Sequence, residues 1–271
     1  MQQIFFHVGL GKVASTYLQY AFFPKLTGVQ YIQRTHYKRA PQIIKKSKAS
    51  TILISREFDQ QLEEECQWFS SYYPKTHIIM LLRRHDSWIA SQYRRFVKNG
   101  ESMTFLEFLN VHDDSGRWKI NDLKYLDKIQ ILQKYFPEGK ILIGFYEDLK
   151  QQPFLFFRKL ADFMGADFKN EDISLNTIHS SYKEKQLKVM RAIGRKIFTQ
   201  NPTFSKNPFW FWVQRRSRLW ACYLILYPSL LLPSSWFSSE PLIDPDELKA
   251  VKDYFSDDWT AVQQWAAQHN P

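Results

Sequence analysis

The chain has 271 residues, a formal net charge of +10, 44% hydrophobic residues and 17% aromatic residues. That apolar and ring content excludes a disordered chain, and the length supports one large core or two smaller ones. The surplus of Lys and Arg calls for an anionic partner, and charge alone leaves it as nucleic acid, membrane surface, acidic glycan or polyphosphorylated small molecule.

Ile4, Phe5, Phe6 and Val8 form an apolar run long enough for a buried strand and too short for a helix. Gly9 and Gly11 break the run, Lys12 follows, and Ser15 and Thr16 open a helical pattern carrying Tyr17, Leu18 and Phe22. A strand, a glycine turn with a lysine, and hydroxyls at a helix start make an anion cradle, because turn amides and first-turn N–H groups converge and the helix dipole favours negative charge there. The stretch is not a nucleoside-triphosphate loop. Val13 stands directly after Lys12, where that loop needs Ser or Thr for magnesium. A cradle without that ligand suits a phosphate ester whose chemistry needs no metal. With a strand by residue 4 there is no room ahead of it for an export leader, so a cytoplasmic location is expected, with Cys66 and Cys222 reduced.

Residues 29–33 alternate like a strand and 34–37 leave it as a loop. Residues 51–55 form a second apolar run, and 58–69 read as a helix. Residues 76–82 form the most continuous apolar run and predict a central parallel strand. Arg83 ends it, Asp86 is placed to cap the next helix, and Ser87 and Ser91 fall one turn apart on that helix, so Arg83 and Ser91 can share an anion. Helical patterns at 105–111 and 123–135 lead to a further strand at 141–146. From residue 154 the pattern is helical, with segments at 154–164, 183–198, 246–255 and 259–268. The alternation predicts an α/β fold, a central parallel sheet with helices on both faces, in one domain spanning 1–271 whose C-terminal part is helical.

Three ordered motifs resemble sulfotransferases that use 3′-phosphoadenosine 5′-phosphosulfate (PAPS). Gly9, Lys12, Ala14, Ser15, Thr16 and Leu18 fall on that family's 5′-phosphosulfate loop. Arg83, Ser91 and Tyr93 match its 3′-phosphate motif, and Phe145-Tyr-Glu-Asp-Leu149 followed by Pro153 matches its late strand-to-helix turn. The resemblance implies a P-loop-like three-layer fold. It implies that Gly9, Gly11, Lys12, Val13, Ala14, Ser15 and Thr16 hold the phosphosulfate, with Lys12 stabilising the leaving phosphate, while Arg83 and Ser91 hold the 3′-phosphate. PAPS would be the donor and its 3′,5′-bisphosphate PAP the product, with no metal. Glu57 and His36 both stand where relatives place a catalytic base for the acceptor hydroxyl, with the balance slightly toward Glu57. Glu147 and Asp148 read as caps for the next helix.

Two departures stand out. Family members commonly carry Asn, Asp or Glu followed by Pro after the motif arginine, whereas this chain has Arg84-His85. The late Gly-x-x-Gly-x-Trp-Lys loop of many cytosolic members is absent, and 176–181 resemble bacterial members acting on glycans, which implies a saccharide or small-molecule acceptor and no nucleic acid. The rival readings are a P-loop kinase and a non-catalytic protein that coats nucleic acid or anionic membrane. Residues 219–233 are unusually apolar and follow Arg215, Arg216 and Arg218. They are short and proline-broken for a spanning helix, which leaves core packing or a peripheral membrane or lipid-linked-acceptor contact.

Overall fold

The computed structural model describes residues 2–175, 182–199, 203–233, 236 and 239–271. The chain divides into two compact units, one formed by Met1–His85, Asn121–Ile178 and Phe255–Pro271, the other by Asp86–Ile120 and His179–Tyr254.

The first unit is built on strands β1 (Gln3–Gly9), β2 (Gln30–Ile32), β3 (Thr51–Glu57), β4 (His77–Leu82) and β5 (Ile141–Phe145). They form one sheet in the order β2-β3-β1-β4-β5, and every pairing is parallel. Ile78 to Leu82 of β4 and Ile4 to Gly9 of β1 are buried at consecutive positions. Side chains alternate across a strand, so both faces of the sheet are covered, which explains why these segments read as unbroken apolar runs. The edge beyond β5 is closed by Asn270, whose carboxamide accepts from Ile143 N–H at 2.8 Å and donates to Ile143 C=O at 2.9 Å. The side chain thereby takes the place of a neighbouring strand.

The helices of this unit are the single turn α1 (Ser15–Tyr17), α2 (Ala40–Lys46), α3 (Leu62–Ser70), the short α6 (Ile120–Leu123) apart from its first residue, α7 (Tyr125–Tyr135), α8 (Tyr146–Gln151), α9 (Pro153–Met164) and α13 (Ser256–His269). Phe156, Phe157, Leu160, Ala161 and Met164 of α9 recur at helical spacing and are buried, and Gly165 ends the helix in the left-handed conformation. Two segments depart from expectation. Residues 34–39 form a 3-10 turn rather than a loop, because Tyr37 is drawn into the core against the rings of Phe6, Phe58 and Phe69. The helix expected from residue 58 begins at Leu62, since Phe58 N–H is taken by Gly9 C=O at 2.8 Å and prolongs the strand pairing.

The second unit holds α4 (His85–Lys98) apart from its first residue, α5 (Phe105–Phe108), α10 (Glu184–Ile197), α11 (Pro208–Leu226) and α12 (Pro245–Tyr254). The helix expected over 105–111 stops at Phe108. There the chain turns extended, and Leu109 forms a bridge to Trp118 while Trp118 N–H bonds Phe108 C=O at 2.9 Å. α10 and α11 are joined by Gln186, whose side-chain amide donates to Leu226 C=O at 2.9 Å. Among the described residues no helix is long and apolar enough to cross a membrane. Cys66 and Cys222 are both free and buried, and burial pushes the Cys66 thiol up to about 12.

Candidate functional site

In an open parallel sheet the chemistry gathers beyond the carboxyl ends of the strands. Here those ends deliver Gly9 from β1, Glu57 from β3, Arg83 just after β4 and Tyr146 just after β5. β1 is central, so its following loop has a neighbour on either side.

That loop, Leu10 to Ala14, is tightly wound. Lys12 and Ala14 both adopt left-handed backbone conformations, with φ of 69° and 67°. A non-glycine residue pays for that geometry, so the surroundings must impose it. Leu10 and Val13 supply part of the force, since both side chains are buried. Ser15 supplies more. Its hydroxyl donates to Leu10 C=O at 3.1 Å and closes the loop onto the first turn of α1. Gly9 is needed for closeness: a Cβ there would stand 2.7 Å from Ser15 Oγ and 3.0 Å from His7 Nε2. Lys12 alone among the loop side chains is well exposed, and Thr16 is half-buried one turn-position on.

Beneath the loop lies a polar network in the strands. His7 Nδ1 shares a 2.8 Å hydrogen bond with Ser55 Oγ, and Gln19 donates to the same hydroxyl at 3.0 Å. Burial lowers the His7 imidazole to about 3, so it is neutral and serves as structure rather than charge.

Asp59 is the residue that sequence reasoning missed. Its Oδ1 accepts the Gly11 amide at 2.8 Å. It stands two positions after Glu57, and only the turn that replaces the start of the expected helix aims it at the loop. Glu57 itself is in register with Gly9 across the β1–β3 pair, half-buried. His36 lies exposed on the 3-10 turn after β2, an edge strand that pairs with β3 and not with β1. The structure therefore brings Glu57 alongside Gly9, just before the loop, and leaves His36 one strand further out.

Arg83 meets the loop from the other side. Its Nη1 donates to Lys12 C=O at 3.2 Å, and its guanidinium lies over the Tyr146 ring at 4.5 Å. The turn that carries it is held without proline. Tyr125 donates its hydroxyl to Arg83 C=O at 2.8 Å, and burial keeps that phenol well above its usual range, so it remains a donor. Glu147 Oε1 accepts Arg84 N–H at 3.1 Å, so it supports this turn rather than capping its own helix. His85 is stacked between Tyr125 and Phe255, with ring centroids at 4.0 and 4.6 Å. Its Nε2 faces Leu123 C=O at 3.0 Å and Asp258 Oδ2 at 3.1 Å; both are acceptors, so that nitrogen carries the proton. Asp258 also accepts the Tyr125 and Leu126 amides at 2.9 and 3.2 Å. Burial alone would raise its carboxyl, but these hydrogen bonds outweigh it and hold the group below the usual range.

α4 begins at His85, so Asp86 sits in its first turn instead of at the cap. Ser91 is half-buried on this helix in the second unit. Tyr93, the motif's other member, is spent internally: its hydroxyl donates to Met103 C=O at 2.8 Å and accepts from Arg191 at 3.3 Å. Residues 176–181, read as an acceptor-side segment, lie outside the described residues. Among the described residues no cluster of His, Cys, Asp and Glu could hold a metal.

The first unit thus offers a wound loop carrying an exposed ammonium, an arginine tied to that loop, and a carboxylate in register with Gly9 just before it. Such a set can seat a multiply charged phosphate ester and leave a base at its edge. No curated relative matches the sequence. A solved sulfotransferase from Alicyclobacillus acidocaldarius shares the fold at a TM-score of 0.50 and 14% identity, covering 83% of this chain and 96% of that one. The mouse sulfotransferase SULT7A1 complexed with PAP aligns at a TM-score of 0.44 and 12% identity, over 99% of this chain and 89% of its own. The family model described as the sulfotransferase domain matches residues 65–209, over half of the sequence and including the Arg83 turn, Ser91 and β5. On that match, the chain belongs to the sulfotransferase family.

Proposed function

We propose that this sulfotransferase takes its sulfuryl group from PAPS and passes it to a hydroxyl of a saccharide or small molecule. The observation that carries the reading is the pairing of Lys12 and Arg83: an exposed ammonium on a left-handed loop, and a guanidinium bonded to that same residue's carbonyl. Two cations at neighbouring strand ends suit a donor with phosphates at both its 5′ and 3′ positions. Val13 in place of a hydroxyl after Lys12 fits a reaction that needs no magnesium.

The donor supplies an activated sulfuryl group, and in-line displacement leaves the protein mostly the tasks of positioning and charge stabilisation. The loop from Gly9 to Thr16 cradles the 5′-phosphate, its Gly11 amide held by Asp59, and Lys12 meets the negative charge that grows on the phosphate as the S–O bond breaks. Arg83 and Ser91 bind the 3′-phosphate. Glu57 takes the acceptor proton, its place beside Gly9 favouring it over His36 on the outer turn. We read residues 1–271 as one sulfotransferase domain, working in the cytoplasm, where the two buried thiols stay reduced.

The test is calorimetric titration of PAP into the protein, once with magnesium and once with a chelator. Equal affinity in both supports the reading. An absolute magnesium requirement, with adenosine triphosphate bound in preference to PAP, would replace it with a kinase.

A further inference from the structure

α11 carries an apolar stripe that the fold leaves uncovered. Phe209, Trp212, Arg216, Trp220, Leu224 and Tyr227 recur at steps of three and four residues, which puts them on one face of the helix. Phe209 is 63% exposed, Trp212 59%, Trp220 62%, Leu224 74% and Tyr227 59%. Another face of α11 carries Cys222 and Leu226, both fully buried beside Gln186 of α10. The helix is therefore fixed in place with its aromatic stripe turned outward. Leu230 and Leu231 extend the exposed surface past the helix end, and that turn is pinned by Lys185, which donates to Leu230 C=O at 2.9 Å and Leu232 C=O at 2.8 Å.

Charge identifies what covers the stripe. From residue 185 to residue 239 the sequence contains Lys and Arg at nine positions and neither Asp nor Glu at any. Lys206, Arg215 and Arg216 are exposed on or just before α11. Indole and phenyl rings beside cations, on a helix too polar to span, are the chemistry of the bilayer interface. Trp settles at headgroup level, and Arg and Lys meet the phosphates of anionic lipid. The stripe is moreover the outside of a helix rather than a groove shaped for a complementary protein.

We propose that α11 and the turn after it dock on an anionic phospholipid membrane, with the stripe at the headgroup–acyl boundary and Lys206, Arg215 and Arg216 on lipid phosphates. The inference does not rest on the donor or acceptor assigned above. It deepens the apolar reading of residues 219–233 by extending the contact surface back to Phe209.

The experiment is co-sedimentation of the full chain with phosphatidylcholine vesicles and with vesicles in which roughly a third of the lipid is phosphatidylserine. The expected result is binding to the anionic vesicles, a blue shift of tryptophan emission on binding, and release by high salt. Arg215→Ala with Arg216→Ala should weaken partition about 30-fold, at roughly fivefold per basic residue. Trp212→Ser with Trp220→Ser should weaken it too, with an unchanged unfolding midpoint because both rings are exposed. Failure to bind anionic vesicles overturns the proposal, as does binding that neither double variant weakens. Lipid-free dimerisation abolished by Trp212→Ser with Trp220→Ser assigns the stripe to a second copy and overturns it equally.

Discussion

Asp59 Oδ1 accepts the Gly11 amide at 2.8 Å across 48 residues of sequence. A carboxylate thus fastens the very loop whose amides would face an anion. Two effects oppose each other: the hydrogen bond holds the loop's left-handed winding, while the charge repels a phosphate. Asp59→Asn keeps an acceptor and removes the charge, so stability should change by less than about 0.5 kcal/mol and PAP should bind as tightly or more tightly. Asp59→Ala removes both, and should cost about 1.5–3 kcal/mol as a charged hydrogen bond lost. Denaturant unfolding and calorimetry separate the two. Loss of PAP affinity in the Asn variant would mean the charge itself is needed.

Arg83→Ala should weaken PAP by about 1.5–3 kcal/mol, the range for a charge-assisted contact. Arg83→Lys should not rescue fully, because an ammonium cannot both lie flat over Tyr146 and reach Lys12 C=O. Ser91→Ala should act in the same direction and more weakly. The control is the analogue without the 3′-phosphate: if the variants lose as much affinity for it, these residues do not read that phosphate.

Turnover distinguishes the charge-stabilising residue from the base. Lys12→Ala should lower kcat more than it weakens donor binding, since its partner charge develops in the transition state. Glu57→Gln should leave PAP affinity nearly intact and lower turnover by about 10²–10⁴-fold. His36→Asn should be mild. Were those last two outcomes exchanged, the base would be His36.

Burial holds His7 at about 3, below its ordinary 6.5. A base with a depressed folded pKa stays neutral when folded while the unfolded chain takes up the proton. Its contribution is therefore complete above pH 6.5 and is lost as the pH falls toward 3, at up to about 1.4 kcal/mol per pH unit. Urea unfolding at several pH values across that window should show a shallower acid slope for His7→Gln than for the native chain. Equal slopes would assign the acid sensitivity elsewhere.

The parallel sheet was legible because strands buried on both faces leave unbroken apolar runs, as residues 76–82 do. Gly9, Lys12 and Arg83 were legible because spacing along one loop and one strand end is local information. The sequence did not announce Asp59 or Tyr125, which reach the site only through tertiary turns. The 3-10 turn at residues 34–39 was hidden for a related reason: Tyr37 is pulled into a core made by residues far along the chain. The aromatic start of α11 hid a different lesson, since ring content that normally signals a core is left outside here.

Where relatives commonly have a proline ring, the Arg83 turn is held by His85, and His85 is held by Phe255 and Asp258 near the far end of the sequence. A chain clipped short of α13 would therefore lose two supports at once, the Asp258 contact to His85 and the Asn270 contacts along the open edge of β5.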